Sequence, residues 1–264
     1  MKEKLKIGIG VVSILILVVL IGLVICNAVR AVTEEVVNPV ATFEVQDYGT
    51  IKMELYPEYA PNTVANFIAL INKGFYNNKV IFGKDEGAIY MARDTAEDAQ
   101  GPKRSLIDES VEADSEEDYA YEINGEFIAN DFQENTLRHD KGIISLNRSD
   151  YSSYGLTEES YNSGSYRFSV MMDENTSLNG VYCAFGKVIE GFDILEKIYK
   201  EAEVKAPESE EDAKESTIQE FSNMPIITKA SVETYNVNYT KPEVHEAFDI
   251  QSYINDLYSQ YISY

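Results

Sequence analysis

Residues 7–26 form a run of 20 positions without a charged side chain. At about 1.5 Å per helical residue, a segment of that length reaches across a hydrocarbon core roughly 30 Å thick. Lys2, Lys4 and Lys6 precede the run, while Glu34 and Glu35 follow it. This asymmetry predicts an N-terminal transmembrane helix spanning the cell membrane once, its N-terminus cytoplasmic and the rest of the chain outside. A cleaved signal peptide is the alternative, with Val29-Arg30-Ala31 as its processing site, yet such peptides usually carry an apolar region of only about 7 to 15 residues. A lipoprotein reading of Leu23-Val24-Ile25-Cys26 is disfavoured by the bulky Ile25 before the cysteine. The chain then divides into a stub and anchor at 1–30, a linker at 31–40, a folded domain at 41–240 and a tail at 241–264. In the tail, Phe248, Tyr253, Ile254, Leu257, Tyr258 and Tyr261 fall near one helical face, which predicts a helix there.

The remainder has globular composition, with 44% hydrophobic and 25% charged residues in a chain of 264, and this excludes disordered and collagen-like classes. Lys and Arg number 22 against 45 Asp and Glu, a net charge of -23, so a phosphate backbone is repelled and nucleic acid is excluded as a partner. Cys26 lies inside the apolar run and Cys183 far from it, which argues against a structural disulfide. There is no CxxC and no paired-histidine spacing, so neither a metal site nor a cofactor is expected.

From residue 41 onward the pattern changes to short strands. Ile51, Met53 and Leu55 alternate with Lys52 and Glu54, and Asp47-Tyr48-Gly49 supplies a turn back to a strand at 41–45. Pro61 suits a helix start, Val64, Phe67, Ile68 and Ile71 recur at helical spacing, and Gly74 suits the stop. Further strands are predicted at 79–82, 88–92, 142–147, 167–172, 183–189 and 226–235, with a second helix at 192–202. Many short strands with two helices point to an antiparallel barrel or sandwich. The Asp- and Glu-rich segments at about 95–121 and 203–223 read as solvated insertions.

Several motifs occur in a telling order: Gly49-Thr50-Ile51-Lys52-Met53-Glu54-Leu55-Tyr56-Pro57, Ala60-Pro61-Asn62-Thr63-Val64-Ala65-Asn66-Phe67, and Lys73-Gly74-Phe75-Tyr76. They continue with Gly125-Glu126-Phe127, Leu137-Arg138-His139-Asp140-Lys141-Gly142, Asn162-Ser163-Gly164-Ser165 and Phe185-Gly186-Lys187-Val188. This order resembles the cyclophilin-type peptidyl-prolyl isomerases over about residues 41–239. The resemblance implies a mainly β fold, a closed eight-stranded antiparallel barrel with two capping helices, and a groove that binds proline-containing segments of unfolded or extracytoplasmic proteins.

Rotation about an X-Pro bond needs no nucleophile. It needs an apolar pocket for the ring and a donor that stabilises the twisted imide. In the family that donor is the arginine of a Phe-His-Arg motif, and the corresponding residues here are Phe82-Gly83-Lys84. Lys84 therefore occupies the arginine slot without the planar fork of arginine, and Arg148 is the candidate replacement guanidinium. Beyond it, Ala88-Ile89-Tyr90-Met91 stands where the family has a Phe-Met-x-Gln-like segment. The resemblance places Phe82, Met91, Tyr166, Phe168, Leu178 and Tyr182 in the substrate groove, with Phe168 as its floor. Tyr166 stands for a usual glutamine, Ser177 for a frequent tryptophan and Tyr182 for a histidine. His139, beside Asp140, belongs to a structural hairpin of the family and has no partnered nucleophile in the sequence.

The resulting expectation is a membrane-anchored, extracytoplasmic prolyl isomerase that assists the folding of secreted proteins with weakened activity. The alternative is a cyclophilin-like binder that holds peptides without turnover, and a third reading is a surface protein whose acidic loops and tyrosine-rich tail make contacts.

Overall fold

The computed structural model describes residues 37–95, 101–206 and 217–262, together with Val19 and Ile21. Two compact units are distinguished, Met1–Val37 and Asn38–Tyr264. Among the described residues no helix is long and apolar enough to cross a membrane. The transmembrane helix expected at 7–26 is thus unsupported, and apart from Val19 and Ile21 that run lies outside the described residues.

The second unit begins with β1 (Val40–Val45) and β2 (Gly49–Leu55), a hairpin in register from Val40 opposite Glu54 to Val45 opposite Gly49. Helix α1 (Pro61–Asn72) follows, then β3 (Val80–Lys84) and β4 (Ala88–Arg93). After the first acidic insertion come β5 (Tyr121–Glu122), β6 (Ile143–Leu146), the short α2 (Thr157–Tyr161), β7 (Phe168–Met171) and β8 (Cys183–Glu190). Helix α3 (Phe192–Glu201), β9 (Gln219–Glu220), β10 (Ile227–Glu233), β11 (His245–Glu246) and helix α4 (Ile250–Ile262) follow among the described residues.

The main sheet has nine strands in the order β10-β1-β2-β8-β6-β7-β4-β3-β9. This corrects the closed eight-stranded barrel: the sheet is open, a half-barrel whose terminal strands β10 and β9 do not pair. The cause lies at the free edge of β3. There β9, delivered by the second acidic insertion, pairs Gly83 with Glu220 and Lys84 with Gln219 at the far end, while the chain entering β10 meets only the near end, through a bridge between Val80 and Ile226 and hydrogen bonds from the Asn78, Ile81 and Ile227 N–H groups to the Ile227, Pro225 and Lys79 carbonyls. On its other side β3 pairs with β4 through two register shifts, at Val80/Ile81 and Ile81/Gly83. Gly83 permits the arrangement, since a Cβ there would stand 2.7 Å from the Gln219 carbonyl oxygen.

The core is aromatic. Phe67 of α1 lies among Phe43, Tyr76, Phe168 and Phe185 at centroid distances of 5.9, 5.0, 5.3 and 5.2 Å, and all five rings are essentially removed from solvent. Helix α1 packs on β8 and β10, and α3 on β2. Cys183 is a buried free thiol, pushed up to about 12 by burial, so it is neither linked nor nucleophilic.

The start of α1 is capped from a distance. Ala60 at its N-cap offers no side-chain acceptor. Instead the Glu126 carboxylate accepts the Asn62 N–H at 2.8 Å and the Thr63 N–H at 2.7 Å, satisfying two donors that the helix cannot. Burial nevertheless holds the Glu126 carboxyl above its ordinary range. Glu126→Ala should lower unfolding stability by about 2 to 3 kcal/mol, measured by urea denaturation; a loss under about 0.5 kcal/mol would show that water caps the helix equally well.

Candidate active site

One face of the half-barrel carries a cavity of about 540 Å³. Ala88, Tyr90, Met171 and Leu178 line it and belong to a small apolar cluster that also holds Ile143, Ala184 and Leu137. The strands position its walls by their two-residue period. On β4, Ala88 and Tyr90 face the cavity, while Ile89 and Met91 are fully buried in the main core. At β7, Arg167, Ser169 and Met171 face the cavity, while Phe168 and Val170 face the core.

The sequence candidates therefore separate into two groups. Phe82, Arg148, Tyr166, Leu178 and Tyr182 all line the cavity. Met91 and Phe168 do not, because each points to the opposite side of its strand and joins the aromatic core. Lys84 is also absent from the lining. Its ammonium donates to the Tyr199 carbonyl of α3 at 2.5 Å and lies 5.0 Å from that tyrosine's ring. The Tyr199 hydroxyl returns a hydrogen bond to the Asp85 carbonyl at 2.7 Å, so Lys84 ties the end of β3 to α3.

Arg148 follows β6 and its guanidinium lies 4.3 Å from the Tyr182 ring centroid, 5.1 Å from Tyr161 and 5.9 Å from Phe127. It donates through Nε to the Val181 carbonyl and through an Nη to the Ser149 carbonyl, both at 3.3 Å. The aromatic faces hold the planar group in place while leaving donors for a ligand. Tyr166 and Arg167 are presented by an anchored segment: Asn66 donates to the Ser165 carbonyl at 2.6 Å, and the buried Tyr76 hydroxyl donates to the Tyr166 carbonyl at 3.0 Å.

Three contributors were not singled out by the sequence. Asp85 caps the β3–β4 turn, accepting the Gly87 and Ala88 N–H groups at 2.8 and 2.6 Å and the Tyr90 hydroxyl at 2.7 Å. Burial and this bond raise the Tyr90 pKa, so the phenol stays protonated and supplies the aromatic wall. Arg167 is the third; strict alternation about Phe168 was the available signal. Segments remote in sequence complete the rim: Ile218 precedes β9, and Ala247 follows the β11–β5 pairing.

Ser145 also reaches the cavity lining. His139 lies behind it, with Nε2 2.9 Å from the Ser145 hydroxyl and Nδ1 3.2 Å from Asn179 Oδ1. Asn179 Oδ1 also accepts the His139 N–H at 2.7 Å, so the group clamps two loops across β6. Burial holds the His139 pKa below the ordinary histidine range.

An open, mainly β half-barrel with two covering helices and a cavity on its outer face is cyclophilin-like. The family model described as cyclophilin type peptidyl-prolyl cis-trans isomerase/CLD matches residues 40–223, and the chain belongs to this family. A peptidyl-prolyl cis-trans isomerase of Arabidopsis thaliana is 28% identical over 151 residues, covering 57% of this chain and 56% of its own length. The chain thus spans little more than half of that relative. Peptidyl-prolyl cis-trans isomerase B of Bacillus subtilis is 27% identical over 161 residues, covering 59% of this chain and 87% of that protein. The fold also matches a cyclophilin type isomerase of Cryptosporidium parvum crystallised in the presence of the dipeptide Ala-Pro, with a TM-score of 0.52 and 19% identity over 74% of this chain and 98% of that one.

Two outcomes test this geometry. Lys84→Ala should leave isomerisation within about twofold of wild type, in a coupled assay on an Ala-Pro peptide; a tenfold loss would return Lys84 to the groove. For His139, the depressed folded pKa means that the unfolded chain takes up a proton first, so stability present above about pH 6.5 is lost as pH falls through the folded value. His139→Asn should flatten that part of the stability profile, and an unchanged slope would assign it to other groups.

Proposed function

We propose that the cavity is the site of prolyl isomerisation and that Arg148 supplies the donor for which the family uses an arginine at the position of Lys84. The supporting observation is the Arg148 guanidinium itself, which lines the cavity 4.3 Å from the Tyr182 ring. Resonance gives the imide bond a barrier of about 18–20 kcal/mol. Twisting it returns a lone pair to nitrogen, and a positioned N–H donor favours that state over the planar one. Phe82, Tyr90 and Leu178 supply walls for the pyrrolidine ring, and no covalent step or proton transfer is required. Weakened turnover is expected because Ala88 offers little side chain to confine the ring.

The clients on this reading are proline-containing segments of secreted proteins, whose folding can wait tens of seconds for an uncatalysed isomerisation. Its place is outside the cytoplasm at the cell membrane, in contact with the lipid bilayer. The apolar run at 7–26 and the preceding Lys2, Lys4 and Lys6 support that placement. A second reading, peptide holding without turnover, is favoured by the engagement of Lys84 with Tyr199.

Arg148→Ala should reduce kcat/KM by about a hundred- to a thousandfold, as loss of a well-placed transition-state donor does, with Arg148→Lys recovering part. An undiminished rate in Arg148→Ala would remove Arg148 from the chemistry, and peptide binding without turnover in wild type would establish the second reading. Protease added to intact cells should digest the domain; full protection would refute the extracytoplasmic placement.

A further inference from the structure

The charge pairing of the arginines is uneven. Among the described residues, Arg93 pairs with Glu220, Arg104 with Asp108, and Arg138 with Asp140 and Glu174. Arg148 and Arg167 make no ion pair with any described residue, and both line the cavity. In a chain with 45 acidic residues against 22 basic ones, unpaired guanidinium groups coincide with the groove.

The nearby acids are otherwise engaged. Asp85 accepts three hydrogen bonds from its own turn and Tyr90. Glu122 accepts the Phe248 N–H at 3.0 Å and also borders a separate pocket beside the tail. Asp150 accepts the Ser152 N–H at 2.9 Å and feels the Arg148 charge without forming an ion pair with it, so Arg167 is the guanidinium left without an acidic neighbour of its own. Arg167 donates through Nε to the Tyr166 hydroxyl at 3.2 Å, and its guanidinium carbon lies 5.4 Å from that ring. Its side chain is half-buried, which reduces solvent screening relative to a surface cation. The Nη edge has no partner among the described residues, and such an edge matches a carboxylate with two parallel N–H donors.

We propose that the groove selects proline segments bearing an acidic side chain within two residues of the proline, with Arg167 as the specificity-determining residue that receives the carboxylate. This rests on the cavity being the peptide groove. The net charge of -23 opposes the approach of an acidic peptide, so the preference resides in the bound complex and appears in KM and dissociation rather than in association. Arg148 adds positive potential from the other wall while serving the imide.

The test uses the full chain and acetyl-capped, amide-terminated peptides that differ only beside proline, containing Glu, Gln, Lys or phosphoserine. Isomerisation is read by NMR exchange and binding by titration. The glutamate peptide should exceed its glutamine counterpart by about five- to tenfold in kcat/KM and in affinity. The lysine peptide should be the poorest. In Arg167→Gln, and in Arg167→Met as a second variant, the glutamate-to-glutamine ratio should fall to near one. A ratio near one in wild type, or a ratio that survives both variants, overturns the proposal. Preference for phosphoserine with glutamate no better than glutamine overturns the carboxylate assignment. Absence of turnover on every peptide defeats the isomerase reading separately, and the binding ratio then decides this one.

Discussion

The structure depends on Phe67. It lies on the buried face of α1 and touches rings from β1, the segment before β3, β7 and β8. One residue therefore joins strands that are far apart in sequence, and its offset and edge-on contacts fix orientation as well as burying area. The neighbouring polar anchors exploit this fixed helix. Asn66 holds the Ser165 carbonyl, and Tyr121 donates to Asn66 Oδ1 at 2.8 Å. The Glu126 cap fixes the same helix at its N-terminus. The groove is thus held by α1 even though α1 contributes no residue to the cavity lining.

The same strands that bury the aromatic cluster build the groove on their reverse side. Phe168 and Arg167 are adjacent in sequence yet serve opposite faces, as are Met91 and Tyr90. This explains what the sequence made legible. Alternation located β2 and the strands around it, and the Pro61-to-Gly74 pattern located α1, because these depend on local chemistry. Family resemblance put Phe82, Tyr166, Leu178 and Tyr182 among the site candidates, the need for a replacement guanidinium added Arg148, and all five border one cavity. It also suggested Met91 and Phe168, where the period of two places the side chains inward. Motif order carries topology well, but the face a residue occupies in a diverged strand is set by local pleat and bulges.

Closure was the feature that local pattern could not reveal. The two-residue strand β9 is too short to announce itself in an acidic insertion, yet it occupies the far end of the β3 edge as the terminal strand of the open sheet. Arg93 reaches Glu220 from β4 and also lies 4.8 Å from the Phe82 ring. A long-range ion pair therefore fastens the insertion beside a groove residue, while Gly83 provides the space for its backbone. The sequence Phe82-Gly83-Lys84 thus reads differently once β9 is present. Gly83 serves the added strand, and Lys84 serves α3.

On the proposed reading, that reassignment also accounts for a groove that lacks its usual arginine yet keeps a cation placed to favour imide rotation. The transition state requires a donor at a point in space, irrespective of the strand that supplies it. Lys84 is drawn to the Tyr199 carbonyl, a compact acceptor suited to an ammonium. Arg148 sits among Tyr182, Tyr161 and Phe127, whose faces suit a planar, weakly hydrated guanidinium. Each cation occupies the environment that its chemistry favours. Exchanging them would leave a flexible ammonium against three rings and a guanidinium against a single carbonyl, losing preorganisation at both positions. The aromatic substitution at Tyr182 and the cation at Arg148 are therefore parts of one physical arrangement, and the tyrosine's value to the groove lies in orienting its neighbour.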